Sequence, residues 1–234
     1  MLEIRNLEAG YGKMQVLFGI NLVVNPNEIV VLIGPNGAGK TTVLKSIFKF
    51  ADVCRGEIVF KNKSLLQLHT HDLISLGIGY VPQGRQVFRN LTVNENLEMG
   101  AFLTPDKDLI AERIEEVLNH FPELRPKLNT SAASLPGGQQ QMLAVARALM
   151  QDPQLLLMDE PSLGLSPKVT DVVMRKIVDI RNEGTAVLLA EQNAKKATTI
   201  ADRIYVLDDG KVALHGGREV LKHKEIQSIY LGGR

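Results

Sequence analysis

The stretch at residues 34–42 of the chain reads Gly34-Pro35-Asn36-Gly37-Ala38-Gly39-Lys40-Thr41-Thr42. It fits the pattern G-x-x-x-x-G-K-[ST] of a phosphate-binding loop, in which glycines let backbone N–H groups face phosphate oxygens. Lys40 is expected to reach the β- and γ-phosphates of a nucleotide, and Thr41 to offer its hydroxyl to Mg²⁺. The apolar run before the loop predicts a buried strand over residues 28–33, and residues 40–50 predict a helix whose dipole adds to anion binding.

Length and composition indicate one large α/β domain or one domain with an insert, and two domains are the alternative that length alone leaves open. The chain has 234 residues, of which 44% are apolar, and its net charge of +1 lacks the basic excess typical of a nucleic-acid surface. The only cysteine, Cys54, excludes an intrachain disulfide and fits a reducing compartment. No apolar run reaches membrane-spanning length and no N-terminal signal pattern is present, so any contact with a membrane is expected to run through a partner.

Alternating strands and helices predict a mainly parallel sheet, with an antiparallel part from the first strands and a late hairpin around Asp208-Asp209-Gly210. Gly10-Tyr11-Gly12 is interpreted as a turn, and Gly56 as the start of a strand. The further predicted strands span residues 2–5, 20–24, 57–60, 78–81, 155–158, 186–190, 203–207 and 211–215. The further predicted helices span residues 72–76, 139–150 and 167–182, with two short helices at the end of the chain.

Residues 85–135 form a helical insert in this interpretation, and residues 1–84 and 136–234 form the α/β core. Thr92 with Glu95 three residues later is a capping box, which marks a helix start. Pro122 is expected to end a longer amphipathic helix.

Asp159 closes an apolar run and is followed at once by Glu160. In phosphate-loop enzymes an aspartate at a strand end holds Mg²⁺, and a neighbouring carboxylate can orient and deprotonate the attacking water. Adjacent side chains on a strand point to opposite faces, but at the strand's end the twist can direct both at the loop. A capped Asp-Glu-Pro turn without chemistry is the alternative.

A second glycine pair lies in Leu135-Pro136-Gly137-Gly138-Gln139, directly before a predicted helix. Its backbone N–H groups and the helix N-terminus favour an anion. The first loop already accommodates the phosphates of a nucleotide bound to this chain. The second site would therefore serve a nucleotide bound to a partner chain. An ordinary glycine-rich helix start is the alternative.

In the order of its motifs, over essentially its whole length, the chain resembles the ATP-binding subunit of an ABC transporter. These motifs are the phosphate loop, Pro82-Gln83-Gly84, Leu135-Pro136-Gly137-Gly138-Gln139 and Leu157-Met158-Asp159-Glu160-Pro161. Within that family the chain resembles the LivF type, which powers branched-chain amino-acid importers. The stretches that carry this resemblance are Gln140-Gln141-Met142-Leu143-Ala144, Pro161-Ser162-Leu163-Gly164-Leu165-Ser166-Pro167, Glu191-Gln192-Asn193-Ala194 and Tyr230-Leu231-Gly232. Importers of urea and short-chain amides share much of the pattern and are the alternative.

The resemblance implies a phosphate-loop NTPase of the ABC type that binds and hydrolyses ATP with Mg²⁺. Tyr11 would stack on adenine, Glu160 would be the catalytic base, and Gln192 would occupy the place of a switch histidine. The implied ATP contacts are Tyr11, Gly34, Pro35, Asn36, Gly37, Ala38, Gly39, Lys40, Thr41, Thr42, Gln83, Leu135, Pro136, Gly137, Gly138 and Gln139. The implied Mg²⁺ contacts are Thr41, Gln83 and Asp159, and Lys40 also takes part in catalysis.

The resemblance also implies partners. The segment Ser162-Leu163-Gly164-Leu165 would cross the interface to a second ATP-binding subunit, in a homodimer or a heterodimer. The insert would dock on a short helix of one of two transmembrane permease subunits, which would place the chain peripherally on the cytoplasmic face of the membrane. A solute-binding protein would be an indirect partner, and no nucleic acid is expected.

Three positions depart from the usual pattern of the family. Pro136 stands where a serine is normal, Gln192 stands where most members have a histidine, and Gly164-Leu165 lacks a common aspartate. Proline has neither a hydroxyl nor a backbone N–H, so the second anion site loses two donors. A glutamine can donate a hydrogen bond to a γ-phosphate but cannot carry charge.

Two further functions compete with transport. A non-transport ABC ATPase that acts on DNA or ribosomes usually has two nucleotide domains, coiled coils or basic extensions, and this chain has one phosphate loop. A module that binds nucleotide without turnover is favoured only by Pro136, and Lys40, Asp159 and Glu160 argue against it.

Overall fold

The computed structural model describes residues 1–223, which form two β-sheets flanked by helices. The strands in this range are β1 (Leu2–Tyr11), β2 (Met14–Val24), β3 (Ile29–Ile33), β4 (Asp52–Phe60), β5 (Lys63–Ser64), β6 (Ile78–Val81), β7 (Leu155–Asp159), β8 (Ala186–Ala190), β9 (Arg203–Asp208) and β10 (Lys211–Gly216). The α-helices are α1 (Lys40–Ile47), α2 (Thr70–Ser75), α3 (Val93–Gly100), α4 (Lys107–His120), α5 (Gly137–Leu149), α6 (Pro167–Asn182) and α7 (Ala194–Ala197). Short 3-10 helices span Pro122–Lys127, Ala132–Ser134 and Arg218–Lys222.

The central sheet has the strand order β10-β9-β3-β8-β7-β6, and all its neighbouring pairs except β10–β9 are parallel. Its parallel strands are almost fully buried, which explains why they are nearly continuous apolar runs in the sequence. The predicted mainly parallel sheet is therefore confirmed. Parallel order brings the carboxyl ends of β3, β7 and β8 to one edge, and the loops that follow these strands meet there.

The first strands form a separate antiparallel sheet of order β2-β1-β4-β5. Its strands are longer than the sequence predicts: β1 runs on to Tyr11, so Gly10 and Tyr11 are not in the turn, and β4 begins at Asp52 and not after Gly56. The pairing of β1 with both neighbours shifts register between Ile4 and Glu8. Such bulges break the alternation of apolar and polar residues, and the prediction depended on that alternation.

Helix boundaries differ modestly from the prediction. The helix after the phosphate loop ends at Ile47 and not at residue 50, because Lys49 takes a left-handed backbone (φ 60°). The predicted bounds of β6, α6 and β8 and the cap at Thr92 are confirmed, while α7 was not predicted. One terminal helix is the 3-10 turn at Arg218–Lys222; the second predicted one and Tyr230-Leu231-Gly232 lie outside the described residues.

Two apolar clusters fill the space on the two faces of the central sheet. One joins the antiparallel sheet, α1 and one face of the central strands. The other joins the opposite face to α5, α6 and the helices within residues 85–135, for example Leu97 and Val117 packed with Leu143 and Leu156. The helices of the predicted insert thus share their apolar cluster with the sheet that carries the site.

Candidate active site

The phosphate loop connects β3 to α1, and Gly39 begins the helix. Gly39 has φ 98°, and a Cβ atom there would lie 2.6 Å from Leu17 Cδ2, so the tight turn requires glycine. Lys40 is only 4% exposed, and its Nζ donates to the carbonyl oxygens of Gly34 (2.9 Å) and Pro35 (3.0 Å). The loop therefore wraps around the ammonium group and fixes its position.

Burial lowers the pKa of Lys40, and the nearby carboxylates of Glu160, Asp159 and Glu191 oppose that shift. A cation held in this way attracts a phosphate strongly, because little water competes for it. We conclude that the loop is electrostatically prepared for an anion.

A cleft of about 550 Å³ lies over the phosphate loop. Its polar lining includes the predicted residues Asn36, Gly37, Gly39, Lys40, Thr41, Thr42 and Glu160. Ala38 is buried, and its N–H donates to Pro35 O (3.2 Å) within the loop, so this predicted contact faces inward. The cleft also has an apolar side formed by Met14, Val16 and Phe18 of β2, which the sequence analysis missed.

Tyr11 lies beside this cleft and not among the residues that line it. Its side chain is partly exposed, and Lys45 Nζ lies 5.9 Å from the ring centroid. An accessible ring next to the phosphate-loop helix is compatible with stacking on a base, and this role stays a prediction.

Asp159 ends β7 directly beside Thr41. The Thr41 hydroxyl donates to Asp159 Oδ1 at 2.9 Å, across 118 residues of sequence. Burial raises the pKa of Asp159, and the hydrogen bond from Thr41 opposes that shift. Within residues 1–223 no three His, Cys, Asp or Glu side chains cluster to hold a metal by themselves. The Thr41 hydroxyl and the Asp159 carboxylate are two oxygen ligands that lie close together. They fit an Mg²⁺ ion that takes its other ligands from phosphates and water.

Glu160 leaves the strand through a left-handed backbone conformation (φ 46°), which costs a non-glycine residue about 1 kcal/mol. Its N–H donates to Ala190 O (2.8 Å), so β8 holds the turn in place. The turn directs the Glu160 side chain into the cleft while Asp159 faces Thr41. Gln83, at the end of the segment after β6, donates through Nε2 to Glu160 Oε2 at 3.0 Å. Both carboxylates therefore reach the loop, as the motif predicted.

Glu191 is a site residue that the sequence analysis did not single out. It directly follows β8 as Glu160 directly follows β7, and it is 1% exposed. Its two carboxylate oxygens accept hydrogen bonds from Ser162 N (2.9 Å) and Asn193 N (3.3 Å), and burial raises its pKa. A charged residue at the end of an apolar strand was the available signal. Gln192, the predicted switch residue, is exposed next to it.

The second glycine pair is built differently. Pro136 is the exposed N-cap of α5 and supplies no side-chain cap, and its carbonyl accepts from Gln140 N (3.0 Å). Leu135 is buried, while Gly137, Gly138 and Gln139 are partly exposed. None of these residues lines the cleft over the phosphate loop. Within the described part of the chain, the segment therefore stands apart from the chain's own nucleotide site.

A second concavity, which we call the aromatic groove, lies between the end of α1, β6 and α3. It has a volume of about 770 Å³, and its lining includes Phe48, Phe50, Tyr80, Phe88, Met99, Phe102 and Arg147. The Arg147 guanidinium lies 4.7 Å from the Phe88 ring centroid and donates to Gln86 O (2.6 Å). The buried Asn96 accepts from Phe88 N (2.9 Å) and donates to Phe88 O (3.0 Å). These bonds fix the rim of the groove.

Comparison with known proteins finds the family described as ABC transporter, whose profile matches residues 17–163. The chain is 42% identical over 234 residues to a high-affinity branched-chain amino acid transport ATP-binding protein, BraG, of Pseudomonas aeruginosa, covering 100% of both chains. It is 40% identical to a probable branched-chain amino acid transport ATP-binding protein, LivF, of Archaeoglobus fulgidus, covering 99% of both.

Solved structures of ATP-binding cassettes are similar to the whole fold. One cassette of an ABC transporter in its ADP conformation has a TM-score of 0.90 at 26% identity, covering 99% of this chain and 98% of that one. A dimeric cassette in a post-hydrolysis state with bound ADP and Pi has a TM-score of 0.82 at 27% identity, covering 93% and 99%.

Proposed function

Because the chain belongs to the ABC transporter family, as its motifs predicted, and is one of the family's ATP-hydrolysing subunits, we propose that it drives the import of branched-chain amino acids. The observation that carries this proposal is the full-length identity of 42% and 40% to transport ATP-binding proteins for these solutes from a bacterium and an archaeon. Urea or a short-chain amide is the alternative solute.

ATP binding is assigned to the phosphate loop. The backbone N–H groups and Lys40 would hold the β- and γ-phosphates, and the apolar side of the cleft and Tyr11 would hold the nucleoside. Thr41, Asp159 and Gln83 are the residues that would hold Mg²⁺, which supplies charge neutralisation on the phosphate oxygens when bound. The 2.9 Å contact between Thr41 and Asp159 supports this assignment, because the two oxygens already converge.

Hydrolysis is assigned to Glu160. Its carboxylate lines the cleft over the phosphate loop and would accept a proton from a water molecule that attacks the γ-phosphate. Gln83 orients this carboxylate through the 3.0 Å bond from Nε2, so a displacement of Gln83 would misalign the base. Gln192 would donate a hydrogen bond to the γ-phosphate. The products are ADP and phosphate.

A second ATP-binding subunit would complete the site. The signature segment, residues 135–139, is separate from the chain's own cleft, and its Gly137, Gly138 and Gln139 are partly exposed, which supports use in trans. The similar cassette that is dimeric with bound ADP and Pi supports pairing with a second ATP-binding subunit. The partner would be an identical chain or a sister subunit.

The aromatic groove would bind a membrane partner. Its aromatic side chains are unusually accessible, with Phe102 58% and Phe50 52% exposed, and one wall belongs to the helical insert, residues 85–135. In residues 1–223 no helix is both long and apolar enough to cross a bilayer. We therefore assign the groove to a helix of one of two permease subunits, which would hold the chain at the cytoplasmic face of the membrane. A solute-binding protein would act from the other side.

Reconstitution tests this function. The chain is combined with two permease subunits, a solute-binding protein and any sister ATPase in vesicles, and ATP-dependent uptake of labelled leucine and labelled urea is compared. We expect leucine uptake that stops with Glu160→Gln in this chain. Uptake of urea alone would make the alternative solute correct, and phosphate release without any uptake would contradict transport.

Crosslinking tests the groove. In a Cys54→Ser background, which removes the exposed natural thiol, a cysteine is placed at Phe102 or, as the control, at the exposed Met14 beside the phosphate loop. We expect Phe102→Cys to crosslink to a permease subunit in the assembled transporter. Crosslinks from this position only to an ATP-binding subunit would contradict the assignment.

A further inference from the structure

Arg85 occupies a central position between three segments of the site. It follows Gln83 and Gly84 and has a left-handed backbone (φ 55°), an uncommon conformation for a non-glycine residue. Its guanidinium Nη2 donates to the carbonyl oxygens of Gly164 (2.7 Å) and Leu163 (3.3 Å). The unusual backbone turns the half-buried side chain towards the segment that follows Glu160.

Two glycines make room for this guanidinium. A Cβ atom on Gly137 would lie 2.3 Å from Arg85 Nη1, and one on Gly164 would lie 2.5 Å from Nη2. Gly137 opens α5, and Gly164 has φ +68°. Gly164 also belongs to the pair that lacks the aspartate common in the family. Glycine at position 164, where the family pattern is broken, thus leaves the space that the Arg85 guanidinium occupies.

We propose that Arg85 is the positioning residue that transmits the state of Gln83 to the surfaces that this chain presents to its partner subunit. Those surfaces are the signature segment at Gly137 and the interface segment at Leu163 and Gly164. The proposal rests on the proposed function, because it requires a second ATP-binding subunit facing this one. Arg85 would then act mainly on the nucleotide held by the partner's phosphate loop.

Two hydrogen-bonded links join the same pair of segments. Gln83 bonds to Glu160 at 3.0 Å, and two residues later Arg85 bonds to Leu163 and Gly164. Leu163 N in turn donates to Glu160 O at 3.1 Å. These bonds couple residues 83–85 to residues 160–164, so in this proposal a displacement of Gln83 would shift the guanidinium and the segments packed against it.

The signature segment depends on such a support because its own cap is weak. Pro136 offers no side-chain hydrogen bond to the start of α5, and the Arg85 guanidinium packs against Gly137 so closely that a Cβ atom there would not fit. In this proposal that packing supports the start of the helix. If the start of α5 is displaced, its backbone N–H groups would form weaker hydrogen bonds with the γ-phosphate held by the partner subunit. We expect loss of Arg85 to lower kcat about ten- to a hundredfold, the range for charged hydrogen bonds, and to change KM for ATP less than twofold.

Mixing experiments separate action on the partner from action within the chain. A limiting amount of wild-type chain is mixed with excess Lys40→Ala chain, which offers a signature segment but no working phosphate loop, or with excess chain that carries both Lys40→Ala and Arg85→Ala. We expect phosphate release with the single variant and the stated loss of kcat with the double variant. In the reverse mixture, limiting Arg85→Ala chain with excess Lys40→Ala chain should retain activity.

A further variant makes the test specific. Arg85→Lys keeps the charge but not the planar pair of donors, so it should recover only part of the activity. Equal losses in both mixtures, or full activity of Arg85→Ala, would overturn the proposal. Absence of phosphate release from the wild-type chain in every mixture would instead refute the proposed ATPase function.

Discussion

The phosphate loop and the signature segment are both glycine-rich stretches at the start of a helix. Several charged side chains of this chain converge on the phosphate loop, whereas the signature segment is built differently. Around the first, Lys40 is buried under backbone carbonyls, and Thr41, Asp159 and Glu160 converge on one cleft. Around the second, Pro136 caps α5 without a side-chain bond. The charged neighbour that rests on the second segment is Arg85.

This difference shows that a glycine-rich helix start becomes a complete anion site only when charged groups converge on it. The convergence at the first loop comes from the parallel sheet, whose strands β3, β7 and β8 end together. The second segment follows a 3-10 turn, and its residues do not line the cleft at that edge. It has backbone N–H donors, and under the proposed function these would serve the phosphates of a nucleotide bound to another chain.

The largest effect is expected from Lys40→Ala, which should remove both ATP binding and hydrolysis. The substitution deletes the buried cation of the first loop and leaves Asp159, Glu160 and Glu191 without its charge. Binding of a fluorescent ATP analogue with Mg²⁺ measures the loss. Lys49→Ala, at a lysine beyond the end of α1, is the control and should bind normally. An affinity equal to that of the wild-type chain would contradict the role of the loop.

Glu160→Gln should remove hydrolysis alone. The amide keeps the size of the side chain but cannot accept the proton of water, and general bases typically contribute about 10²–10⁴-fold to rates. ATP binding should persist, so a closed dimer should accumulate and elute early in gel filtration with ATP. Normal phosphate release by this variant would mean that another group is the base.

Pro136→Ser should have a smaller effect and in the opposite direction. It restores a hydroxyl and an N–H to the second segment, and we expect a several-fold rise in turnover of the isolated chain at saturating ATP and protein. One such donor can contribute about 10²–10³-fold, but Gly137 and Gly138 already supply N–H groups. Pro167→Ser, at the start of α6, is the control. An unchanged or lower rate would show that Pro136 is not a handicap.

The smallest effect concerns stability. Burial raises the pKa of Asp159, so the folded chain binds this proton more tightly than the unfolded chain does. The stability that this group contributes is present below its unfolded pKa and is lost as the pH rises through the folded value. Asp159→Asn stays neutral and should raise the free energy of unfolding at pH 8, although hydrolysis is lost. Urea unfolding measures this gain.

Asp179→Asn, at an exposed carboxylate, is the control and should leave the free energy of unfolding unchanged. A similar gain for both variants would mean that the desolvated charge at the phosphate loop is not the cause.

Residues that are contiguous in the chain were the predictable part of the site. The phosphate loop and the Asp159-Glu160 pair could be identified without a structure, because a loop's backbone and the end of an apolar strand depend on neighbours in sequence. The bounds of α6 and β8 were predictable for the same reason. The length of β1 was not, because its bulges depend on the pairing with β2 and β4.

The family and the fold around residues 34–42 could be predicted from the sequence alone. The three-dimensional structure was needed to see how Gln83 orients Glu160, how Glu191 holds Ser162, and how Arg85 reaches Gly164. Each of these contacts joins residues 29 to 79 positions apart. Their geometry follows from the order and twist of the strands, and no local periodicity of the sequence encodes which distant side chains that order brings together.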